Sequence, residues 1–158
     1  MSKNTENQIP DTSYAVIDII GEPSNLSVQH LVAISDNELT TEQEDQLRNG
    51  QSIDNVFSYP PGYYYTITPD LEAQDFDHER YFETHLHFQD GSVPVEGING
   101  LTNEALLEVL IHRMNILDAK FPCKENKIAL KHMQLALSAF KDRSLSRKLR
   151  GVEGKNVI

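Results

Sequence analysis

The chain has one cysteine in 158 residues, Cys123, so an internal disulfide framework is excluded and a reducing compartment is expected. No run approaches the ~18 apolar residues of a membrane span. The first twenty residues lack the basic start and apolar core of a signal peptide. No Gly-rich phosphate loop, HExxH or nucleophile motif occurs, and no internal repeat is visible. Basic residues are scarce over most of the length. Residues 1–100 hold only Lys3, Arg48 and Arg80 against eighteen acids. These absences lead us to expect a soluble cytoplasmic protein, with no cofactor and no membrane partner.

Apolar residues make up 39% of the chain. That supports a core, though a chain this small is marginal unless it oligomerises. The basic residues collect at the other end. Residues 101–158 hold eleven bases against six acids. In KDRSLSRKLRGVEG (141–154) five of fourteen residues are Lys or Arg, with two acids. Such a split reads either as two functional zones, the basic one facing an anion, or as charge complementarity between the two halves.

Hydrophobic patterning divides the chain the same way. Residues 1–12 are polar and aperiodic and read as a tail. Residues 13–98 are strand-rich. YAVIDII and LSVQHLVAI are β-rich runs separated by the turn cluster GEPSN, and a Pro-Pro-Gly turn precedes the tyrosine-rich YYYTITP. TTEQEDQLRNG reads as a short helix with Thr41 and Glu44 at capping-box spacing and an Asn-Gly stop. YFETHLHFQ, Asp90-Gly91 and SVPVEG read as a hairpin with Pro94 on an edge strand. From residue 99 the period becomes helical. Thr102 or Asn103 starts a helix carrying Leu106, Leu107, Leu110, Ile111, Met114 and Leu117, and Pro122 breaks it. A longer helix runs from about Lys124 to Arg150, with Gly151 as its C-terminal cap. Leu130, Met133, Leu137 and Phe140 form one stripe, while Ile128, Leu135 and Ala139 lie off it. One partner helix does not cover a stripe that wide. The expected fold is therefore α+β: a strand-rich N-terminal part, then a two-helix hairpin (99–158) that oligomerises.

Arg143, Arg147 and Arg150 fall at i, i+4 and i+7, on one helical face. Cations at a helix C-terminus complement the macrodipole at ~0.3–1 kcal/mol each. An aligned triad of planar guanidinium groups suits bidentate phosphate binding, which the dipole does not require.

INGLTNEALLEVLIHRM, FPCKENKIAL and LSAFKDRSLSRKLRGVEGK together resemble the helical region of phage-encoded Thoeris anti-defence proteins of the first-described type. The resemblance runs from about Leu86 to Ile158. It implies a binding protein, not an enzyme: an oligomeric sponge, dimer or hexamer, that sequesters cyclic ADP-ribose variants made by TIR-domain defence proteins. It also implies, for some members, separate pockets for cyclic oligonucleotides of the CBASS system. On matching motif positions the signal-binding residues of the family fall on Asn126, Arg143 and Arg147. Lys124, Ile116, Arg150 and Gly151 complete the expected ligand-binding set. Ile116 stands where the family commonly has an aromatic ring, Lys124 where it has arginine, and Ala139 where it has a large aromatic. Asn126 and Arg143 are ~25 Å apart along one helix and about 100° apart around it. One small ligand touching both therefore requires two chains and an inter-subunit pocket. Read without the resemblance, Asn126 is equally a turn residue, and Glu153 and Gly154 either shape an anion-binding loop or simply end the helix.

Two other readings stand beside this one. A nucleic-acid-binding basic helix has the local charge, but a pI near 4.9 repels a long polyanion, so no long nucleic acid is expected. A metal-dependent hydrolase would be built on ETHLH, with His85 and His87 on one strand face and Glu83 and His78 nearby.

Overall fold

A computed structural model describes residues 13–21, 25–34, 39–54, 56–73 and 76–152. The expected tail, and Glu153 and Gly154, lie outside the described residues. The chain forms two compact units, Met1–His87 and Phe88–Ile158.

The first unit is a five-stranded antiparallel sheet. Strands β1 (Ser13–Gly21), β2 (Leu26–Ile34), β4 (Tyr64–Pro69) and β5 (Thr84–His87) lie in the order β1-β2-β4-β5, and β3 (Val56–Ser58) pairs with β2. Helix α1 (Thr41–Arg48) packs on one face. Its Leu47 is buried with Ile17, Val32 and Ile34, and Arg48 Nε donates to the Ile17 carbonyl at 3.2 Å, stitching helix to edge strand. The capping box is real but sits one residue earlier than the sequence suggests. Thr40 is the N-cap and Gln43, not Glu44, reaches back to it.

The second sheet face gathers aromatic rings. Tyr64 is buried and lies in contact with Tyr14, Tyr59 and His87, with centroid separations of 5.3, 5.0 and 4.4 Å. Burial first, then the nearby Tyr14, Glu83 and Tyr59, raises the Tyr64 pKa above its ordinary value. Burial, followed by His85, lowers that of His87.

The second unit begins with a loop that corrects the hairpin reading. After β5 the chain does not return as a strand. SVPVEG instead forms a single helical turn, α2 (Val93–Glu96), with its proline in the first turn, where the missing N–H costs nothing. Gln89 and Asn99 knit the loop: Asn99 N donates to Gln89 Oε1 at 3.0 Å, Asp90 N donates to Asn99 Oδ1 at 2.9 Å, and Gln89 Nε2 donates to the Gly97 carbonyl at 2.9 Å. Gly100 passes against the backbone so closely that a Cβ would stand 2.5 Å from the Phe88 carbonyl carbon. Phe88 and Leu101 then bridge in parallel.

Thr102 caps α3 (Asn103–Lys120) by accepting from Ala105 N at 3.1 Å. Phe121-Pro122-Cys123 turns the chain into α4 (Lys124–Leu149). The two helices pack around Ile111, Leu130 and Leu137, with Leu107, Met114 and Met133 partly buried beside them. Ile128, Leu135 and Ala139 remain exposed, as the off-stripe positions require. Among the described residues no helix is long and apolar enough to cross a membrane.

Candidate anion-binding helix end

With 26 residues α4 spans ~39 Å, against ~27 Å for the 18 residues of α3. Polar contacts between the two fix their register. Lys127 Nζ lies 3.8 Å from Asp118 Oδ2, Lys141 Nζ donates to Glu108 at 2.8 Å, and Ser144 Oγ donates to Glu104 at 3.3 Å. Glu104 belongs to the first turn of α3, so α4 runs past its partner from about residue 145 onward. Arg147 and Arg150 lie on that projecting turn. Among the described residues, Glu108 accepts from Lys141 and Glu104 from Ser144.

The end of α4 is closed by backbone geometry. Gly151 adopts a φ of 64°, Val152 N donates to the Arg147 carbonyl at 3.1 Å, and Gly151 N donates to the Lys148 carbonyl at 3.0 Å. This is the Schellman pattern, and the left-handed position is the reason for glycine there. Arg147 Nη2 donates to the Val152 carbonyl at 3.2 Å, so its guanidinium is held over the cap. Arg143 is exposed and makes no hydrogen bond or ion pair among the described residues, and Arg150 is the C-cap residue. The arrangement offers a fixed guanidinium, a free one a turn before it and a third a turn beyond.

The other expected site residues are placed as follows. Lys124 is the first, exposed residue of α4, and Asn126 the third. Asn126 Nδ2 donates to the Phe121 carbonyl at 3.1 Å and its backbone N–H donates to Cys123 Sγ at 3.3 Å. The side chain therefore braces the turn, and its Oδ1 makes no hydrogen bond among the described residues. Ile116 is 46% exposed on α3. The continuous helix keeps Asn126 and Arg143 seventeen residues apart, so they do not meet in one chain. Sequence reasoning missed the capping role of Cys123. Its position one residue before the helix, after Pro122, was the available signal.

The ETHLH segment is arranged differently from a metal site. His85 Nε2 lies 3.2 Å from Glu83 Oε1, and His85 Nδ1 lies 2.7 Å from the Tyr64 hydroxyl. Both ring nitrogens are thus engaged. His78, on the 3-10 turn His78–Arg80, packs against Phe76. Among the described residues no three His, Cys, Asp or Glu side chains are grouped to hold a metal ion.

No known family profile matches the chain. A curated relative does: Thoeris anti-defense 1 of Bacillus phage SBSphiJ7 is 37% identical over 70 residues, which cover 44% of this chain and 49% of the relative. The chain thus spans about half the length of the relative it matches. Over that stretch the protein is similar to a phage Thoeris anti-defence protein.

Proposed function

We propose that this protein blocks an anti-phage defence by capturing a cyclic nucleotide signal of the glycocyclic ADP-ribose class without degrading it. The observation that carries the reading is the projecting, capped end of α4, where Arg143, Arg147 and Arg150 share one face. Arginines pair with the diphosphate, and turn residues around Asn126 and Lys124 take ribose or base polar groups. Because Asn126 and Arg143 are ~25 Å apart along α4, the pocket is completed by a second copy of the chain. Nanomolar capture needs about −12 kcal/mol, within reach of a buried diphosphate held by charge-assisted hydrogen bonds. Cyclic oligonucleotides are the second ligand class to try, and a host-cytoplasm location follows from where such signals act.

Titration calorimetry with glycocyclic ADP-ribose is the test, followed by heating the complex and identifying what is released. Capture predicts saturable binding near one ligand per pocket and recovery of intact ligand. A cleaved product would mean an enzyme, and absence of heat with both ligand classes would end the proposal.

The second copy has its own test. Ile128, Leu135 and Leu149 fall at multiples of seven on α4 and are 46%, 57% and 79% exposed, a stripe separate from the buried Leu130 and Leu137. If another copy covers this stripe, Leu135→Asp dissociates the oligomer in sedimentation velocity while leaving the helix content intact. An unchanged sedimentation coefficient would exclude α4 as the interface.

A further inference from the structure

His30 lies in the middle of β2, 7% exposed, and its Nε2 accepts the backbone N–H of Gly62 at 2.8 Å. A backbone N–H only donates, so this bond exists only while Nε2 carries no proton. Gly62 is not an arbitrary partner. Tyr63 N donates to the Pro60 carbonyl at 3.1 Å, Pro61 has its φ fixed by its ring, and Gly62 adopts a φ of 92°. Residues 60–63 therefore form a type II turn, and the N–H that His30 holds belongs to the central peptide of that turn. Type I and type II turns differ by a flip of that peptide. The flip would replace the Gly62 N–H facing His30 with the Pro61 carbonyl, an acceptor for a protonated ring. Glycine at position 62 permits both forms.

Tyr59 directly precedes the turn. This residue has a φ of 53°, a left-handed conformation uncommon for a tyrosine, and its ring packs against Tyr64 and His87 on the aromatic sheet face. Among the described residues, the surroundings of His30 include parts of three elements. Tyr65 of β4 stacks on it with centroids 5.3 Å apart. Arg48 of α1 lines, together with His30 and Tyr65, a cavity of about 250 Å³, and is itself paired with Glu44 and Asp45. Asp18 of β1 stands opposite His30 in strand register.

We infer that His30 is a proton-operated latch: neutral, it holds the Pro61–Gly62 peptide in the type II form and Tyr59 on the aromatic face; protonated, it flips that peptide and releases Tyr59. The device belongs to the strand unit and does not depend on what α4 binds.

The experiment is a pH titration of the uniformly ¹⁵N- and ¹³C-labelled full chain from pH 8 to pH 5, following the Gly62 amide, the Tyr59 ring and each histidine ring. The latch predicts that Gly62 and Tyr59 move together with the midpoint of His30. In His30→Gln, whose amide oxygen still accepts from Gly62 without titrating, both signals stay at their neutral-pH positions while His85 and His87 titrate as before. Gly62→Ala, which disfavours positive φ, gives the low-pH Tyr59 ring position already at pH 8. A Gly62 amide that stays fixed, or that follows the midpoint of another histidine, overturns the latch, as does a His30 ring that remains neutral throughout.

Discussion

Glutamate at both Arg143 and Arg147 is expected to weaken binding of glycocyclic ADP-ribose by at least roughly a hundredfold, taking ~1.5–3 kcal/mol for each charged hydrogen-bonding group lost. Calorimetry on the double variant measures it. The effect is separable from misfolding because of where the two side chains sit. Arg143 is exposed and makes no hydrogen bond or ion pair among the described residues, so its replacement removes no fold contact found there. Arg147 gives up its bond to the Val152 carbonyl, and an acid near a helix C-terminus frays the last turn. The neutral pair Arg143→Gln and Arg147→Gln controls for that fraying, since it removes the charge without opposing the dipole. If the helix end binds phosphate, the neutral pair also loses most of the affinity, and circular dichroism stays near the parent spectrum. Binding unchanged in the glutamate pair would remove this helix end from the site. A weak, strongly salt-dependent residual affinity in the parent would instead indicate long-range attraction to a polyanion rather than a pocket.

The helical half was legible because its signals are redundant. Thr102 caps, Leu107 to Met114 repeat at helical spacing, Pro122 interrupts, and Gly151 ends α4 in the left-handed conformation that glycine permits. Each marker alone is weak, but they agree. The strand half was legible in its elements and less so in its joints. Two threonines stand side by side at 40 and 41, and the box spacing fits either Thr40 with Gln43 or Thr41 with Glu44. Nothing local in the sequence decides between them. SVPVEG misled because alternating valines read as a strand, whereas residues 93–96 wind into the helical turn α2 and Gln89 and Asn99 close the loop. Proline at position 94 fits both outcomes, an edge strand or a first helical turn. For the site, helix periodicity placed the three arginines on one face. What no periodicity could show is that Arg147 is pinned to the cap, or that Glu104 and Glu108 are taken up by Ser144 and Lys141. Those depend on the register of α3 against α4, which is a tertiary fact. The bond between His30 and Gly62, thirty-two residues apart, was beyond reach for the same reason.

Leu137→Ala is expected to cost the helical unit ~2–5 kcal/mol, the range for a buried leucine truncated to alanine. The size of that loss relative to the unit is what makes the prediction severe. Among the described residues the hairpin core has three buried side chains, Ile111, Leu130 and Leu137, so one truncation thins it by a third. A two-helix hairpin buries too little apolar surface to stand far above the entropy of ordering its chain. An isolated hairpin should therefore melt its helices near room temperature after this substitution. If a second copy covers the stripe of Ile128, Leu135 and Leu149, the outcome becomes concentration-dependent, because association adds stability by mass action. Thermal unfolding followed by circular dichroism, at two protein concentrations about a hundredfold apart, distinguishes the cases. A midpoint that falls sharply and rises with concentration means that the hairpin is held together by its partner. A midpoint that falls without concentration dependence means that the three-residue core carries the unit alone. A midpoint that does not move would show that Leu137 is not packed as Ile111 and Leu130 require.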